Sequence, residues 1–159
     1  MSFSYLKKMP DPDTIKSEFA LTPEMKALKA DRDQQIADII TGKDDRVLAI
    51  IGPCSADNED SVCEYVNRLT SVQEKIKDRV LIVPRIYTNK PRTTGSGYKG
   101  IASQPDPTKA PDMVEGLIAM RKMHLRAIAE SGFTCADEML YPENWPYVED
   151  LLSYVAIGA

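Results

Sequence analysis

The order of apolar and polar residues along the chain predicts alternating helices and strands. Near the start, Thr22 and Pro23 suit the first turn of a helix, apolar residues then recur at helical spacing, and Gly42 ends the pattern. Short, continuous apolar runs follow, which are typical of strands covered on both faces. Pro84 lies inside the second run and would remove one backbone donor from its ladder. The four runs are residues 47–52 (VLAIIG), 80–87 (VLIVPRIY), 133–139 (FTCADEM) and 154–159 (YVAIGA).

Helical patterns separate these runs. The segment between the first two runs carries a single apolar stripe. Asp112 and Gly132 suit the two ends of a later helix. Pro142 suits the start of another, which we expect to run through Leu152 with Trp145 facing inward. Regular alternation of strand and helix predicts an α/β fold with a parallel sheet and right-handed crossovers, either an open doubly wound sheet or a barrel.

Composition narrows the class of protein. The chain has 159 residues, 43% of them hydrophobic and 28% charged, which suits one domain with a core and argues against disorder. No apolar run approaches the roughly 18 residues of a membrane span, and the polar start is unlike a signal peptide. Three cysteines without zinc-site spacing favour a reducing, cytoplasmic location. The net charge of −4 argues against a nucleic-acid partner.

One segment departs from this acidic character. Between Arg79 and Pro105 there are five basic residues and no acid. The segment ends as a loop rich in Gly, Pro and Thr that holds Lys90, Arg92 and Lys99. It predicts a site for a small, multiply charged anion such as a phosphate ester or a carboxylate. The alternative is a solvated loop that merely lacks acids.

The same loop contains a G-x-G-x-x-G sequence at Gly95, Gly97 and Gly100. A dinucleotide-binding turn would place this sequence directly between a strand and a helix. Here a polar loop separates it from the strand, and the proline-containing segment after it cannot open a helix. The sequence therefore does not predict a dinucleotide site.

Candidate catalytic and binding residues lie at the carboxyl ends of the predicted strands. Cys54 follows the first strand, Arg85 lies near the end of the second, Glu138 near the end of the third, and Gly158 and Ala159 close the fourth. Catalytic groups of parallel α/β barrels come from these ends. An arginine on the same strand face as core residues is costly unless it meets an anion. A cysteine after a strand is otherwise more often a packing residue.

These residues belong to motifs that, in this order, resemble those of type I 3-deoxy-D-arabino-heptulosonate 7-phosphate (DAHP) synthases. The motifs are Gly52-Pro-Cys-Ser55, Arg85-Ile-Tyr87, Lys90-Pro-Arg-Thr-Thr94, Gly97-Tyr-Lys-Gly100, Ala136-Asp-Glu138 and Ala156-Ile-Gly-Ala159. The resemblance implies a (β/α)8 TIM barrel and a transferase that joins phosphoenolpyruvate to erythrose 4-phosphate, releasing phosphate, at the first step of the shikimate pathway to aromatic amino acids. The 3-deoxy-manno-octulosonate 8-phosphate synthases share the phosphoenolpyruvate chemistry, but the KPRTT motif is not expected in them.

The resemblance also implies a metal and a phosphoenolpyruvate site. Cys54 resembles the family's metal-binding cysteine, so a divalent metal of the Mn, Fe, Co or Zn class is implied as a Lewis acid. Arg85 and Lys90 resemble catalytic contacts to phosphoenolpyruvate. Beside them the resemblance places Glu138, which could equally be the partner of a basic side chain, and the backbone of Gly158 and Ala159.

The erythrose 4-phosphate site is implied to lie in the basic loop. It would consist of Lys90, Pro91, Arg92 and Thr93, with Arg92 gripping the phosphate through two parallel hydrogen bonds. One departure concerns the metal: the family commonly has a histidine where this chain has Asp57. What replaces that histidine stays open.

Chain length is the second departure. A complete barrel takes about 250 residues, whereas this chain holds about four β/α units. We expect residues 1–45 to form an N-terminal helical extension and residues 46–159 to form the first half of a barrel, truncated before the family's further metal ligands. The alternative is a non-catalytic half-barrel that binds anions or a partner subunit. Open strand edges in either case predict a homo-oligomer.

Overall fold

The computed structural model describes residues 7–92 and 95–158. Among these residues two α-helices come first, four strands then alternate with two further α-helices, and a short 3₁₀ helix precedes the last strand, which confirms the α/β prediction. In chain order the elements are α1 Pro12–Glu18, α2 Pro23–Ile40, β1 Val47–Ile51, α3 Glu59–Ile76, β2 Val80–Pro84, α4 Met113–Ser131, β3 Ala136–Met139, the 3₁₀ helix Pro142–Tyr147 and β4 Tyr154–Ile157.

All strand pairs found are parallel. β1 pairs with β2 from Val47↔Val80 to Ile51↔Pro84, and β3 pairs with β4 over their full lengths. A single bridge joins the two pairs, between Arg85 and Ala136, where the Ile86 amide donates to the Ala136 carbonyl at 2.8 Å. The strands therefore follow one another in chain order, and their carboxyl ends all meet at one edge.

Both faces of β2 are covered, as its continuous apolar run predicts, whereas β1 and β4 keep exposed end residues such as Val47 and Ile157. On one face, Ile82 packs with apolar side chains of α3 and α4, among them Val66 and Met123. On the other face, Leu81 and Val83 pack against Ile36 of α2. α2 also reaches the strands through the buried Arg32, which donates to the Ile82 carbonyl at 2.6 Å and to Thr134 Oγ1 at 3.1 Å. The amino-terminal helices thus cover one strand face and leave the carboxyl ends accessible.

Several helix ends lie where the sequence places them. Thr22 caps α2, Asp112 caps α4 through the amides of Val114 and Glu115, and Gly132 ends α4 in the left-handed conformation with φ 70°. Helix α1 was not predicted, because seven residues give too short an apolar pattern. None of the described helices is long and apolar enough to cross a membrane.

The predicted helix from Pro142 through Leu152 is wrong. The structure has a 3₁₀ helix that ends at Tyr147, followed by turns. Pro146 lies inside this segment and has no backbone N–H to donate, which disfavours a continuous α-helix through it. As a result, Trp145 is 39% exposed instead of facing inward, while Leu151 and Leu152 are buried.

The strands are shorter than their apolar runs. β2 ends at Pro84, so the missing proline donor falls on the last strand position. β4 ends at Ile157, with Gly158 just beyond it. Ala159 and Thr93, which the resemblance places in the site, lie outside the described residues.

Candidate functional site

Cys54 and Lys90 are brought together at the carboxyl ends of β1 and β2. Cys54 is exposed, and Lys90 Nζ lies 2.8 Å from its sulfur. This hydrogen bond and the charges of Lys90 and Arg85 lower the pKa of the Cys54 thiol, whereas the charge of Glu138 opposes them. Four predicted site residues from three strand ends therefore share one neighbourhood.

Arg85 is held by the chain itself. Its Nη2 donates to the carbonyls of Gly52 and Pro53 at 3.0 Å each, and Nε donates to Pro53 at 3.3 Å. The guanidinium also stacks on the Tyr87 ring at 4.4 Å from the ring centre. These contacts offset part of the burial cost, so the expectation that only an anion could satisfy Arg85 is too strong.

Glu138 lies next to the end of the fourth strand. A Cβ atom built on Gly158 would fall 2.7 Å from Glu138 Oε1, so the carboxylate sits directly over the Gly158 backbone. The Gly158 amide donates to the Met139 carbonyl at 3.2 Å. The structure thus brings Glu138 and Gly158 together, and any side chain at position 158 would displace that carboxylate.

The loop after β2 is closed on itself at its base. The Lys90 amide donates to the Lys99 carbonyl at 3.1 Å, and the Ala102 amide donates to the Thr88 carbonyl at 3.0 Å. Glycines make this possible: Gly95, Gly97 and Gly100 all have φ between 72° and 89°, where other residues are strained. The G-x-G-x-x-G sequence therefore reflects the path of this loop.

The closed loop encloses a cationic cavity. Its volume is about 100 Å³, equal to a few water molecules at about 30 Å³ each. Arg92 Nε donates to the Tyr98 carbonyl at 2.7 Å, which fixes the plane of the guanidinium. The lining residues, with no acid among those described, are Lys90, Pro91, Arg92, Gly95, Lys99, Ser103, Leu140 and Tyr141.

A larger cavity of about 630 Å³ lies away from the strand ends, between residues 8–12, Val114 and Tyr147. Lys8 and Asp11 both line it, so their charges offset each other. The smaller cavity is the one with a charge pattern suited to an anion.

A buried polar cluster below the carboxyl ends of the strands was not predicted from the sequence. The Asp137 carboxylate accepts hydrogen bonds from Thr88 and from His124, the single histidine of the sequence. Asn89 Nδ2 donates to the Glu138 carbonyl at 3.1 Å, while Asn89 Oδ1 is buried without a hydrogen-bond partner among the described residues. An acid inside a short buried strand needs such donors, and that was the available signal.

The described residues provide few ligands for a metal ion. Within residues 7–92 and 95–158, no cluster of three or more His, Cys, Asp or Glu side chains is placed to hold one. Cys54 supplies a single sulfur, and its nearest polar partner is a cation. Asp57, which the resemblance sets against the family's histidine, is exposed. One donor does not make a metal site.

The two other cysteines are core residues. Cys63 and Cys135 are both buried, and burial raises the pKa of Cys63 to about 11 and also raises that of Cys135. Cys54 is therefore the thiol that should react with a water-soluble alkylating agent.

The pairing of Cys54 with Lys90 predicts a shifted pH profile for alkylation. Because Lys90 stabilises the thiolate, the midpoint for reaction with iodoacetamide should lie below the value of about 8.5 for a free cysteine. Lys90→Met should move the midpoint upward, while the matched change Lys99→Met should leave it in place. An identical profile for Lys90→Met and the wild type would show that the two side chains are apart in solution.

Most of the chain matches one protein family. The model of the DAHP synthetase I family matches residues 19–159. The chain belongs to the DAHP synthetase I family. This membership confirms the resemblance drawn from the motifs.

Comparison with individual family members shows what share of their length this chain covers. It is 36% identical over 148 residues to the Tyr-sensitive phospho-2-dehydro-3-deoxyheptonate aldolase of Escherichia coli K12, covering 93% of this chain and 41% of that protein. It is 39% identical to a putative phospho-2-dehydro-3-deoxyheptonate aldolase of Schizosaccharomyces pombe, covering 93% of this chain and 40% of that protein.

A solved structure agrees with the fold. The phospho-2-dehydro-3-deoxyheptonate aldolase of Francisella tularensis SCHU S4 superposes with a TM-score of 0.90 at 30% identity, covering 99% of this chain and 46% of that one. The chain thus spans about two fifths of the length of the curated relatives named here.

Proposed function

We propose that this chain carries the substrate-binding part of a site that joins phosphoenolpyruvate to erythrose 4-phosphate, giving DAHP and phosphate. The observation that carries the proposal is the cationic cavity of Lys90, Arg92 and Lys99, which adjoins Cys54 and Arg85 at the strand ends. Both proposed substrates are phosphorylated, so holding them together requires concentrated positive charge. Membership in the DAHP synthetase I family supports these two substrates over other anions.

The site divides into two parts under this proposal. Pro91, Arg92 and Thr93 bind the phosphate of erythrose 4-phosphate, and Arg92 supplies the forked grip. Its Nε is already held by the Tyr98 carbonyl, so its outer N–H groups are fixed for an anion. Lys90 stands between the two substrates, because it lines the cavity and also contacts Cys54.

Phosphoenolpyruvate occupies the other part, between Arg85 and Glu138. The Gly52 and Pro53 carbonyls hold Nε and Nη2 of Arg85, which orients the guanidinium toward the substrate's acidic groups. The carboxylate of Glu138, over the backbone of Gly158, limits the far side of the site. Arg85 and Lys90 are the proposed catalytic residues.

The proposed architecture is part of a (β/α)8 barrel. Residues 46–159 supply about four β/α units, and residues 1–45 supply helices that cover one strand face. The in-order parallel strands support this arrangement, and so does the packing of Ile36 against Leu81 and Val83.

A divalent metal belongs to the proposed reaction, with Cys54 as its contribution from this chain. The described residues do not fit a complete metal site, since they provide only this sulfur. The remaining donors have to come from elsewhere. The described residues are proposed to bind and orient the two substrates.

A second candidate function follows from the exposed strand edges. Among the described strands, β1 pairs only with β2 and β4 pairs only with β3, and these edge strands carry the exposed Val47 (63%) and Ile157 (74%). Open edges with exposed apolar residues favour pairing with another chain. A non-catalytic half-barrel that binds anions or a partner subunit, with itself as one partner in a homo-oligomer, is consistent with this observation.

The proposal predicts binding of both substrates without full turnover by the 159-residue chain. Calorimetric titration should detect phosphoenolpyruvate and erythrose 4-phosphate, while manganese-dependent loss of phosphoenolpyruvate should be far slower than with the E. coli relative as positive control. Absence of binding would contradict the proposed function. Turnover matching the relative would show that the chain completes its own metal site.

A further inference from the structure

We propose that Asp137 is a positioning residue that holds Lys90 and Glu138 at a fixed separation. The importance of that separation for phosphoenolpyruvate rests on the function proposed above, whereas the positioning itself rests on hydrogen bonds within the chain.

Asp137 is the centre of a saturated buried cluster. The residue is 1% exposed, and its two oxygens accept from four donors. Oδ1 accepts from the amides of Thr88 at 2.9 Å and Glu138 at 2.7 Å. Oδ2 accepts from Thr88 Oγ1 at 2.6 Å and lies 3.3 Å from His124 Nε2. Since a carboxylate only accepts, the His124 Nε2 carries a hydrogen here.

These bonds connect the two strand ends that bear the site. Thr88 lies two residues before Lys90, and its carbonyl accepts from the Ala102 amide, which closes the basic loop. Glu138 follows Asp137 directly and donates its amide to the same oxygen as Thr88. One carboxylate oxygen therefore ties the start of the basic loop to the backbone of Glu138. Asn89 adds a second tie through the Glu138 carbonyl.

His124 anchors the cluster to a rigid element. It lies within α4, is 1% exposed, and packs beside Met120 and Met123, which are fully buried. Thr88 Oγ1 also contacts Met120 Sδ at 3.1 Å. The helix thus fixes Asp137, and Asp137 fixes the loop. This arrangement gives the histidine of the chain a positioning role instead of a simple packing role.

A cluster needed for stability alone could be apolar, since well-packed hydrophobic residues often serve as well as buried polar groups. The variant Asp137→Asn distinguishes a role in positioning the loop from a role in stability alone. The variant keeps the shape of the side chain but replaces one acceptor oxygen with an N–H₂ group, which faces the donors Thr88 and His124. We expect the segment from Thr88 to Lys90 to shift while the fold is kept.

The test combines amide exchange with ligand affinity in the 159-residue chain. In Asp137→Asn, exchange at the Thr88 and Lys90 amides, measured by NMR, should be at least about 10-fold faster. The Kd of phosphoenolpyruvate, measured by calorimetry, should rise at least about 10-fold. Thr134→Val is the matched control, because Thr134 is equally buried but bonds to Arg32 and Ser153, not to the basic loop. It should lower the melting temperature and leave both readouts unchanged.

Three results would overturn the inference. The first is unchanged amide exchange at Thr88 and Lys90 in Asp137→Asn. The second, provided that the wild type binds phosphoenolpyruvate, is the same Kd in Asp137→Asn as in the wild type. The third is an effect of Thr134→Val on exchange and Kd that equals the effect of Asp137→Asn. If the wild type binds no phosphoenolpyruvate, the proposed function fails and the exchange rates alone decide the positioning.

A second pair of variants covers the case in which Asp137→Asn does not fold. Thr88→Val removes the hydroxyl that donates to Asp137, and Thr88→Ser restores it. Faster exchange at Lys90 in Thr88→Val, with recovery in Thr88→Ser, is the expected result. Equal rates in the two variants would count against the inference.

Discussion

Replacing Arg92 by alanine is expected to weaken erythrose 4-phosphate binding by about 100-fold, because two charge-assisted hydrogen bonds of about 1.5 kcal/mol each are lost. Arg92 lines the cavity with its guanidinium fixed by the Tyr98 carbonyl, so its outer N–H groups are oriented before the ligand arrives. Calorimetric titration of both proteins with erythrose 4-phosphate measures the difference.

Two further variants show whether the loss of erythrose 4-phosphate affinity in Arg92→Ala reflects a defined phosphate site. Lys99→Ala removes one ammonium charge from the same cavity and should weaken binding less than about 5-fold, because an ammonium cannot form the two parallel hydrogen bonds of a guanidinium. Arg92→Lys keeps the charge without the fork and should fall between the two. Equal losses for Arg92→Ala and Lys99→Ala would mean that the loop attracts anions by diffuse charge, with no defined phosphate site.

Gly52→Ala is expected to lower the free energy of unfolding by about 3 kcal/mol through overpacking. The new Cβ would fall 2.0 Å from the Arg85 carbonyl oxygen, which belongs to the backbone and cannot swing away. β1 would have to separate from the segment after β2, where the Arg85 amide donates to the Ile51 carbonyl at 2.7 Å. For a chain of this size the melting temperature should fall by roughly 6–12 °C.

The change at Gly52 should also damage the site, because the Gly52 and Pro53 carbonyls hold the Arg85 guanidinium. Phosphoenolpyruvate affinity should therefore fall along with stability. Gly42→Asn is the control: Gly42 has φ 73° but open space around its Cβ position, and asparagine tolerates that conformation. Its melting temperature should change by less than half as much. A wild-type melting temperature for Gly52→Ala would contradict the close approach of these two segments.

Local and periodic features were predictable from the sequence. The caps at Thr22, Asp112 and Gly132 and the covered strands follow from patterns within a few residues. The grouping of Cys54 with Lys90 followed from the rule that parallel strands end at one edge, together with the family motifs.

Features that depend on packing between distant segments were not predictable in this way. Pro146 interrupts a segment whose apolar spacing is helical, and the satisfied state of Arg85 depends on carbonyls about thirty residues earlier. The link from His124 to Asp137 joins a helix to the following strand, and neither residue stands out in a pattern of apolar positions. Buried polar contacts of this kind leave only one signal in a sequence, an acid where a strand should be apolar.

The most direct test of the proposed anion site is an NMR titration of the isotope-labelled chain with phosphoenolpyruvate. The account predicts saturable shift changes concentrated at the amides of residues 52–58, 85–92 and 138–140, around Cys54, Arg85, Lys90 and Glu138. No shift changes, or changes centred on the larger cavity near Asp11 and Tyr147, would contradict it.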